Sequence, residues 1–372
     1  MKFHKTLLTK CFAVALTAVL SLSTASCEDF FENEGDCDVI HRVKFVYNKN
    51  LKWADAFTSE VKSVNLYVYD SNGVFVKKYL GSGEELSNPD YYITLDLPAG
   101  DYRLVAWCGL ENEGAAEESF YVPDPIAGVS HIEDLTCRLN VENAPATLSR
   151  DNDSEETDIY YSDKMLYFLY HGMLDVSLED NHDGKTYDHI ISLTKDTNHI
   201  RILLQELSND EGLNAEDYEI LIESANGLLG YNNELLGNAT IKYTPWSQVS
   251  DIIGVGRIET GVNEIKYVRG LVADLSVSRM MASQLNDMML TIRDANTKEN
   301  IIARVPIIQY ALLSRQYYEH AYGHKMDDQE FLDREDEFVM TFFLYQNRWL
   351  DSFIDILQWR IVLHDYDLGW DN

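Results

Sequence analysis

From residue 39 onward, apolar and polar positions alternate with period two, and short turn-forming clusters interrupt the alternation. The run VIHRVKFVY (39–47) is rich in β-branched and aromatic residues, as a half-buried strand requires. In VKSVNLYVYD (61–70), Val64, Leu66 and Val68 fall on one face and Asn65, Tyr67 and Tyr69 on the other. The turn Ser71-Asn72-Gly73 separates this run from VFVKKYL (74–80). An Asn-Gly step between two alternating runs is a strong hairpin signal, because both residues tolerate the left-handed backbone that a tight turn demands. YYITLDLPAGDYRLVAWCGL (91–110) repeats the theme, turning at Pro98-Ala99-Gly100. After several strands with no helical period, a β-sandwich is the architecture that buries both sets of faces.

Over 142–163 the rhythm stops: ENAPATLSRDNDSEETDIYYSD is polar and acidic and reads as a connection. Strand patterns then resume in MLYFLYHGMLDVSL (165–178), YDHIISL (187–193), NHIRILLQEL (198–207) and DYEILIESANG (217–227). TIRDANTKENIIARV (291–305) echoes YVYDSNGVFVKKY (67–79) with a longer turn, which supports two units of related topology. Helical signals are confined to IIQYALLSRQYYEHAYG (307–323) and DDQEFLDRE (327–335), before the last strands in 337–347 and 356–365. The expected fold is all-β: two tandem β-sandwich domains, over 39–141 and 164–372, with 142–163 as linker or irregular loop and few short helices.

The chain is 45% hydrophobic and 25% charged, enough apolar content for real cores. Its 62 Asp+Glu against 30 Lys+Arg give a net charge of -32. Such a surface repels phosphate backbones, and no basic patch with interleaved aromatics is present, so nucleic acid is excluded as a partner. The charge reads as solubility at a surface facing bulk medium.

Residues 1–26 have the form of a signal peptide. Lys2, Lys5 and Lys10 precede the apolar run CFAVALTAVLSL (11–22), which is too short to span a bilayer as a helix. The small residues STAS then lead to Cys27. TASC (24–27) resembles a bacterial lipobox, in which cleavage falls before a cysteine that becomes acylated; Thr24 stands where Leu is usual. Acyl chains on Cys27 would hold a soluble domain at a membrane at about 0.8 kcal/mol per buried CH₂. The acids that follow, beginning with Glu28 and Asp29, resemble the export signal of Bacteroidales surface lipoproteins. Residues 27–38 also read simply as a flexible acidic tether. Cys37, Cys108 and Cys137 remain, and one disulfide plus one buried thiol is expected among them, with the pairing open.

Catalytic signatures are missing. His320 and His324 have helical i, i+4 spacing, but Ala321 stands where a zinc protease needs Glu. DNDSEETDIYYS (151–162) has acids for calcium, yet Glu156 and Ser162 occupy positions where a dedicated loop needs Gly and a bidentate Glu. The carboxylates of EFLDREDE (330–337) sit among alternating charges, as in a solvated segment. No phosphate loop, dinucleotide fingerprint or nucleophile elbow occurs, so neither enzyme activity nor a cofactor is expected. The 23 tyrosines could form glycan platforms, but Tyr is also an ordinary strand residue.

The order of motifs resembles a known family. TASC, an acidic spacer, VKFVYN (43–48), VKSVNLYVYDSNGVFV (61–76) and LPAGDYRLVAWCGL (97–110) are similar to the Bacteroidales fimbrial anchor-subunit lipoproteins of the type V pilus system. VRGLVADLSVSRM (268–280), LTIRDANTKENIIARVPIIQYALLS (290–314), QEFLDREDEFVMTFFLYQNRW (329–349) and QWRIVLHDYDL (358–368) continue in the family's order. The resemblance implies two transthyretin-like sandwiches, no catalysis, and a lipid-anchored subunit at the base of a fimbrium on the outer membrane. That subunit would limit fimbrial length and meet shaft subunits by strand exchange. A trypsin-like protease is thought to cut shaft subunits after an arginine near the first strand. Here the only arginine between Cys27 and Arg103 is Arg42, inside the first expected strand. The competing expectation is a tip or accessory adhesin, or a surface lipoprotein that binds glycan or host protein.

Overall fold

The computed structural model describes residues 39–110, 119–141, 159–179, 184–208, 212–237, 239–260, 262–356 and 359–363. In chain order it begins with β1 (Ile40–Val46), α1 (Phe57–Glu60), β2 (Ser63–Asp70), β3 (Phe75–Ser82), β4 (Ile93–Thr94), β5 (Gly100–Cys108), β6 (Phe120–Tyr121) and β7 (Thr136–Leu139). There follow β8 (Ile159–Ser162), β9 (Tyr170–Leu178), β10 (Thr186–Ser192), β11 (Thr194–Lys195), β12 (Thr197–Glu206), β13 (Tyr218–Ser224), β14 (Leu228–Gly230) and β15 (Thr240–Tyr243). The remainder is β16 (Ser247–Thr260), β17 (Val262–Ser278), β18 (Met289–Asp294), β19 (Asn300–Pro306), α2 (Ile307–Leu313), α3 (Arg315–Tyr322), α4 (Asp328–Arg334), β20 (Glu337–Tyr345), β21 (Arg348–Ile356) and β22 (Trp359–Leu363).

Two sandwiches result. In the first, the sheet β10-β1-β4 covers one face of β11-β9-β5-β2-β3. Val43 and Phe45 meet Val64, Leu66, Val68, Leu104 and Ile191 there, each fully or almost fully buried. The second places β16-β17-β12-β20-β21-β22 against β19-β18-β13-β15-β8. Ile200, Ile202, Leu204, Leu271 and Phe342 share its core with Ile220, Ile222, Leu290 and Ile292. The other face of β2 and β5 is also covered: Tyr67, Tyr69 and Trp107 belong to the same continuous core as the second sandwich, reached through Phe120, Ile132 and Cys137. Both faces of the 64–69 alternation are therefore buried, each against a different layer. Every large side chain buried this way contributes about 1.5–3 kcal/mol.

The self-similar hairpins share one device. Asp70 closes β2, and its carboxylate accepts the N–H groups of Asn72 and Val74, both at 2.9 Å, while Gly73 takes φ +76. Asp294 closes β18 and accepts from Asn296 and Thr297, both at 2.8 Å. These backbone donors hold both carboxyls below their usual range.

Three expectations need correction. Pro98-Ala99-Gly100 does not join a hairpin, because β4 pairs with β1 whereas β5 pairs with β2 and β9; the turn is a corner between sheets. The helix signal over 307–323 is two helices that meet at Ser314, whose backbone stays right-handed helical and whose hydroxyl donates to the Ala311 carbonyl at 2.5 Å, and Gly323 ends the second at φ +73. The strand allocation also differs from the division into 39–141 and 164–372. β9, β10 and β11 complete the first sandwich by pairing with β5, β1 and β9 respectively, while β8 pairs with β15 in the second. A strand goes where its backbone finds a partner and its apolar face a cover. Period-two alternation carries no record of which distant strand that is.

Candidate functional site

β1 alternates outward and inward because its apolar residues do. Val43 and Phe45 point into the first core, and Tyr47 follows them. Its backbone is engaged on both sides. All seven residues run parallel to β10, from Ile40 opposite Thr186 to Val46 opposite Ser192. On the other edge Arg42 and Val43 pair antiparallel with β4, and the Leu95 N–H donates to the His41 carbonyl at 2.9 Å. Arg42 donates to Asp188 from Nε at 2.8 Å, pairs with the same carboxylate through Nη2 at 2.7 Å, and lies 4.3 Å from the Tyr92 ring centroid. The sole arginine between Cys27 and Arg103 is thus inside a doubly paired strand. A protease needs an extended, unpaired backbone at its cleavage site.

Open backbone is offered elsewhere. Among the described sheets, β16 is the longest edge strand. β17 pairs with β12 only over 271–278, so beyond residue 270 toward its start it pairs with β16 alone, as a two-stranded ribbon. Unpaired N–H and C=O groups along such an edge can accept a strand from another chain. Val249 and Ile252 are exposed on it.

The two halves meet at a buried ionic cluster. Lys195 in β11 is 5% exposed; its Nζ lies 3.4 Å from Glu60 and 3.4 Å above the Phe168 ring, and pairs closely with Asp336. The next residue, Asp196, is fully buried and accepts from Arg279 at 2.5 Å and Asn233 at 2.9 Å; Arg279 also pairs with Asp333 at 2.9 Å. Burial pushes the Asp196 carboxyl up to about 6 against the pull of Arg279. Burial likewise raises Glu335 to about 7, although backbone N–H groups oppose it. Close by, Arg334 donates to the carbonyls of Asn48 and Asn50 and lies 3.7 Å from the Trp53 ring, which also contacts His324. Sequence reading missed this cluster: Lys195-Asp196 lies in the polar stretch Thr194-Lys195-Asp196-Thr197 between two apolar strand runs, where charges look like an ordinary solvated turn.

Cys27, Glu28, Asp29 and Cys37 lie outside the described residues. Cys108 and Cys137 are free buried thiols. They sit in different cores, Cys108 with Leu66 and Cys137 with Trp107, so they do not form the disulfide expected as one possible pairing. His320 lies on α3, but His324 is beyond the Gly323 cap and against Trp53, so the two rings do not share a helix face. Most of the acidic run 151–162 is outside the described residues, and 159–162 is strand β8. Among the described residues, no group of three His, Cys, Asp or Glu could hold a metal ion. The carboxylates of 330–337 are engaged in structure: Glu330 with Arg334, Asp333 with Arg279. Tyr47, Tyr67, Tyr69, Tyr170, Tyr243 and Tyr310 are core residues rather than platforms. One open groove of about 590 Å³ does carry aromatic rings, Tyr167 and Phe168, beside Glu60, Lys62 and Glu84.

A family model for the fimbrillin-A associated anchor proteins Mfa1 and Mfa2 matches residues 33–365. A solved protein of Bacteroides thetaiotaomicron VPI-5482, described as a candidate adhesin, superposes with TM-score 0.68 at 30% identity, covering 86% of this chain and 96% of its own. Another from the same organism, described as a candidate polysaccharide-binding protein, gives 0.68 at 24% identity over 88% of this chain and 99% of its own. The fimbrial anchor protein Mfa2 of Porphyromonas gingivalis shares the fold, at TM-score 0.58 and 15% identity over 88% and 99%. No curated protein matches the sequence.

Proposed function

The chain belongs to the family of fimbrillin-A associated anchor proteins, and from that premise we propose that it is the lipid-tethered subunit that fixes a fimbrium's base to the outer membrane. Its family makes it a fimbria-associated, structural protein at the cell surface. In the proposed role Cys27 is the acyl acceptor, Glu28 and Asp29 direct export, and the subunit limits fimbrial length by ending strand exchange with shaft subunits.

One observation supports the anchor reading above the others. Arg42 is locked in β1 between β10 and β4, so trypsin-like cleavage there would have to dismantle the first sandwich. A subunit that keeps β1 keeps its N-terminal attachment. The test is Cys27→Ser followed by fractionation of surface-expressed protein. Loss of the variant from the outer membrane, with loosened fimbriae, is the expected result. Continued partition with the membrane would sink the lipid model, and a mature N-terminus beyond Arg42 would sink the retained-strand argument.

A second reading, an accessory adhesin, draws support from the 30% identical candidate adhesin and from the groove beside Tyr167. It predicts binding on an oligosaccharide array and release with sheared fimbriae.

A further inference from the structure

In the anchor reading the chain is held at its N-terminus, and that end enters the fold through β1. We propose that the parallel β1–β10 pair is the tension-bearing clasp of the protein, loaded in shear when force acts between the N-terminus and the C-terminal half. Its biological meaning rests on the anchor reading; its mechanics rest on topology alone.

Two observations set the direction of force. β10 leaves its C-terminal end through Leu193, β11 and Asp196 directly into β12, a central strand of the second sandwich. The C-terminal end of β1 faces the same half, since the Asn48 and Asn50 carbonyls accept from Arg334 at 3.0 and 3.4 Å, and Trp53 contacts both Arg334 and His324. The N-terminal end of β1 therefore points away from the second sandwich. A pull on that end is answered at the opposite end of both strands, along an axis of about 23 Å for seven residues.

Strand direction decides how this pull is resisted. Parallel pairing puts the force entry on β1 and the force exit of β10 at opposite ends, so β1 can move only by sliding past β10. All hydrogen bonds of the pair must then yield together. Were the two strands antiparallel, the entry and the exit would coincide, and the bonds would open one after another.

The contacts along the pair suit that task. Ile40 N–H donates to the Lys185 carbonyl at 3.0 Å and Leu193 N–H donates to the Val46 carbonyl at 2.8 Å, bracketing the ladder. Arg42 and Lys44 both reach across to Asp188, at 2.7 and 3.8 Å. Ser192 Oγ donates to Asn48 Oδ1 at 3.1 Å and Lys49 Nζ to Thr194 Oγ1 at 3.0 Å. Val43, 0% exposed, and Phe45, 5% exposed, would have to leave the core as β1 slides. Lys195 and Asp196 secure the exit with Glu60, Asp336, Arg279 and Asn233.

Single-molecule pulling on the full chain carrying Cys27→Ser tests this without any lipid. One geometry places handles at Val39 and at Lys298, in the β18–β19 turn of the second sandwich. The other places them at Val39 and Gly184, so that both handles lie at the N-terminal end of the pair and peel it open. The expected result is a rupture peak several-fold higher in the first geometry. Even-numbered residues of β1 face β10, as the bonds of Ile40 and Val46 show, so Lys44→Pro should remove a ladder donor and lower that peak. If Lys44→Pro fails to fold, Asp188→Ala replaces it and should lower the peak less. Equal peaks in the two geometries, or a first peak unchanged in a folded variant, would overturn the proposal. Membrane retention of the Cys27→Ser protein would remove the lipid while leaving this measurement intact.

Discussion

β1 and β12 invite comparison, because each is a strand running parallel to a distant partner inside a sandwich. β12 is gripped on both edges, by eight residue pairs with antiparallel β17 and eight with parallel β20. β1 has seven pairs with β10 but only two with β4. The entrance to β12 is guarded by buried Asp196 and Lys195, while β1 buries Val43 and Phe45 with His41 at its start and turns Arg42 and Lys44 to its outer face. The second sandwich is thus built around a strand paired along most of its length on both edges. β1 relies mainly on β10, drawn from 146 residues further along the chain, with only a short pairing to β4 on its other edge.

The largest effect should come from the guarded strand. Arg279→Ala leaves Asp196 and Asp333 without their shared cation, and should lower stability by about 3–5 kcal/mol, read as a shift of the urea midpoint. Asp196→Asn should cost less, because Arg279 keeps Asp333. If the two variants were equally destabilised, the cluster would not be what fixes the entrance to β12.

Val43→Ala comes next, at about 2 kcal/mol from lost burial and a small cavity. Its sharper signature is local: hydrogen exchange should accelerate in β1 and β10 while β12 stays protected. Uniform acceleration would erase the difference between the two strands.

A pH series should give a smaller change. Asp196 and Glu335 have folded-state values raised above their ordinary carboxyl range, to about 6 and about 7. Between that range and about 7, the folded protein holds protons that the unfolded chain has released, so stability should fall as pH rises through the window. Glu335→Gln should flatten that slope in thermal melts, by an amount on the order of 1–3 kcal/mol. A slope unchanged by the substitution would place the proton elsewhere. Arg42→Ala should be the mildest, leaving the melting temperature nearly unmoved, since its pair with Asp188 is solvent-facing. A large loss would show that side-chain pairing, rather than the backbone ladder, holds β1.

Local structure was legible in the chain wherever partners are close in sequence. The β2–β3 and β18–β19 hairpins follow from Asp-led turns with short reach, and the 64–69 alternation correctly marked two buried faces. What could not be read was long-range: that 170–195 would close the first sandwich, that β4 and β5 would part at Gly100, or that β1 would be parallel to β10. Period and turn chemistry fix which side of a strand is apolar, not whose edge it joins. Of the expected site, Arg42 could be placed in a strand from its flanking alternation. The Asp196–Arg279 contact spans 83 positions, and no spacing rule connects residues so far apart.

Cys108 and Cys137 offer a final use. Burial raises both thiols far above their ordinary range, so neither reacts while its surroundings stay closed. One lies in each core. Among the described residues these are two silent clocks, and a thiol-trapping reagent would start each only when its own core first opens. Capture of Cys108 ahead of Cys137 would time the release of the first sandwich separately from the second.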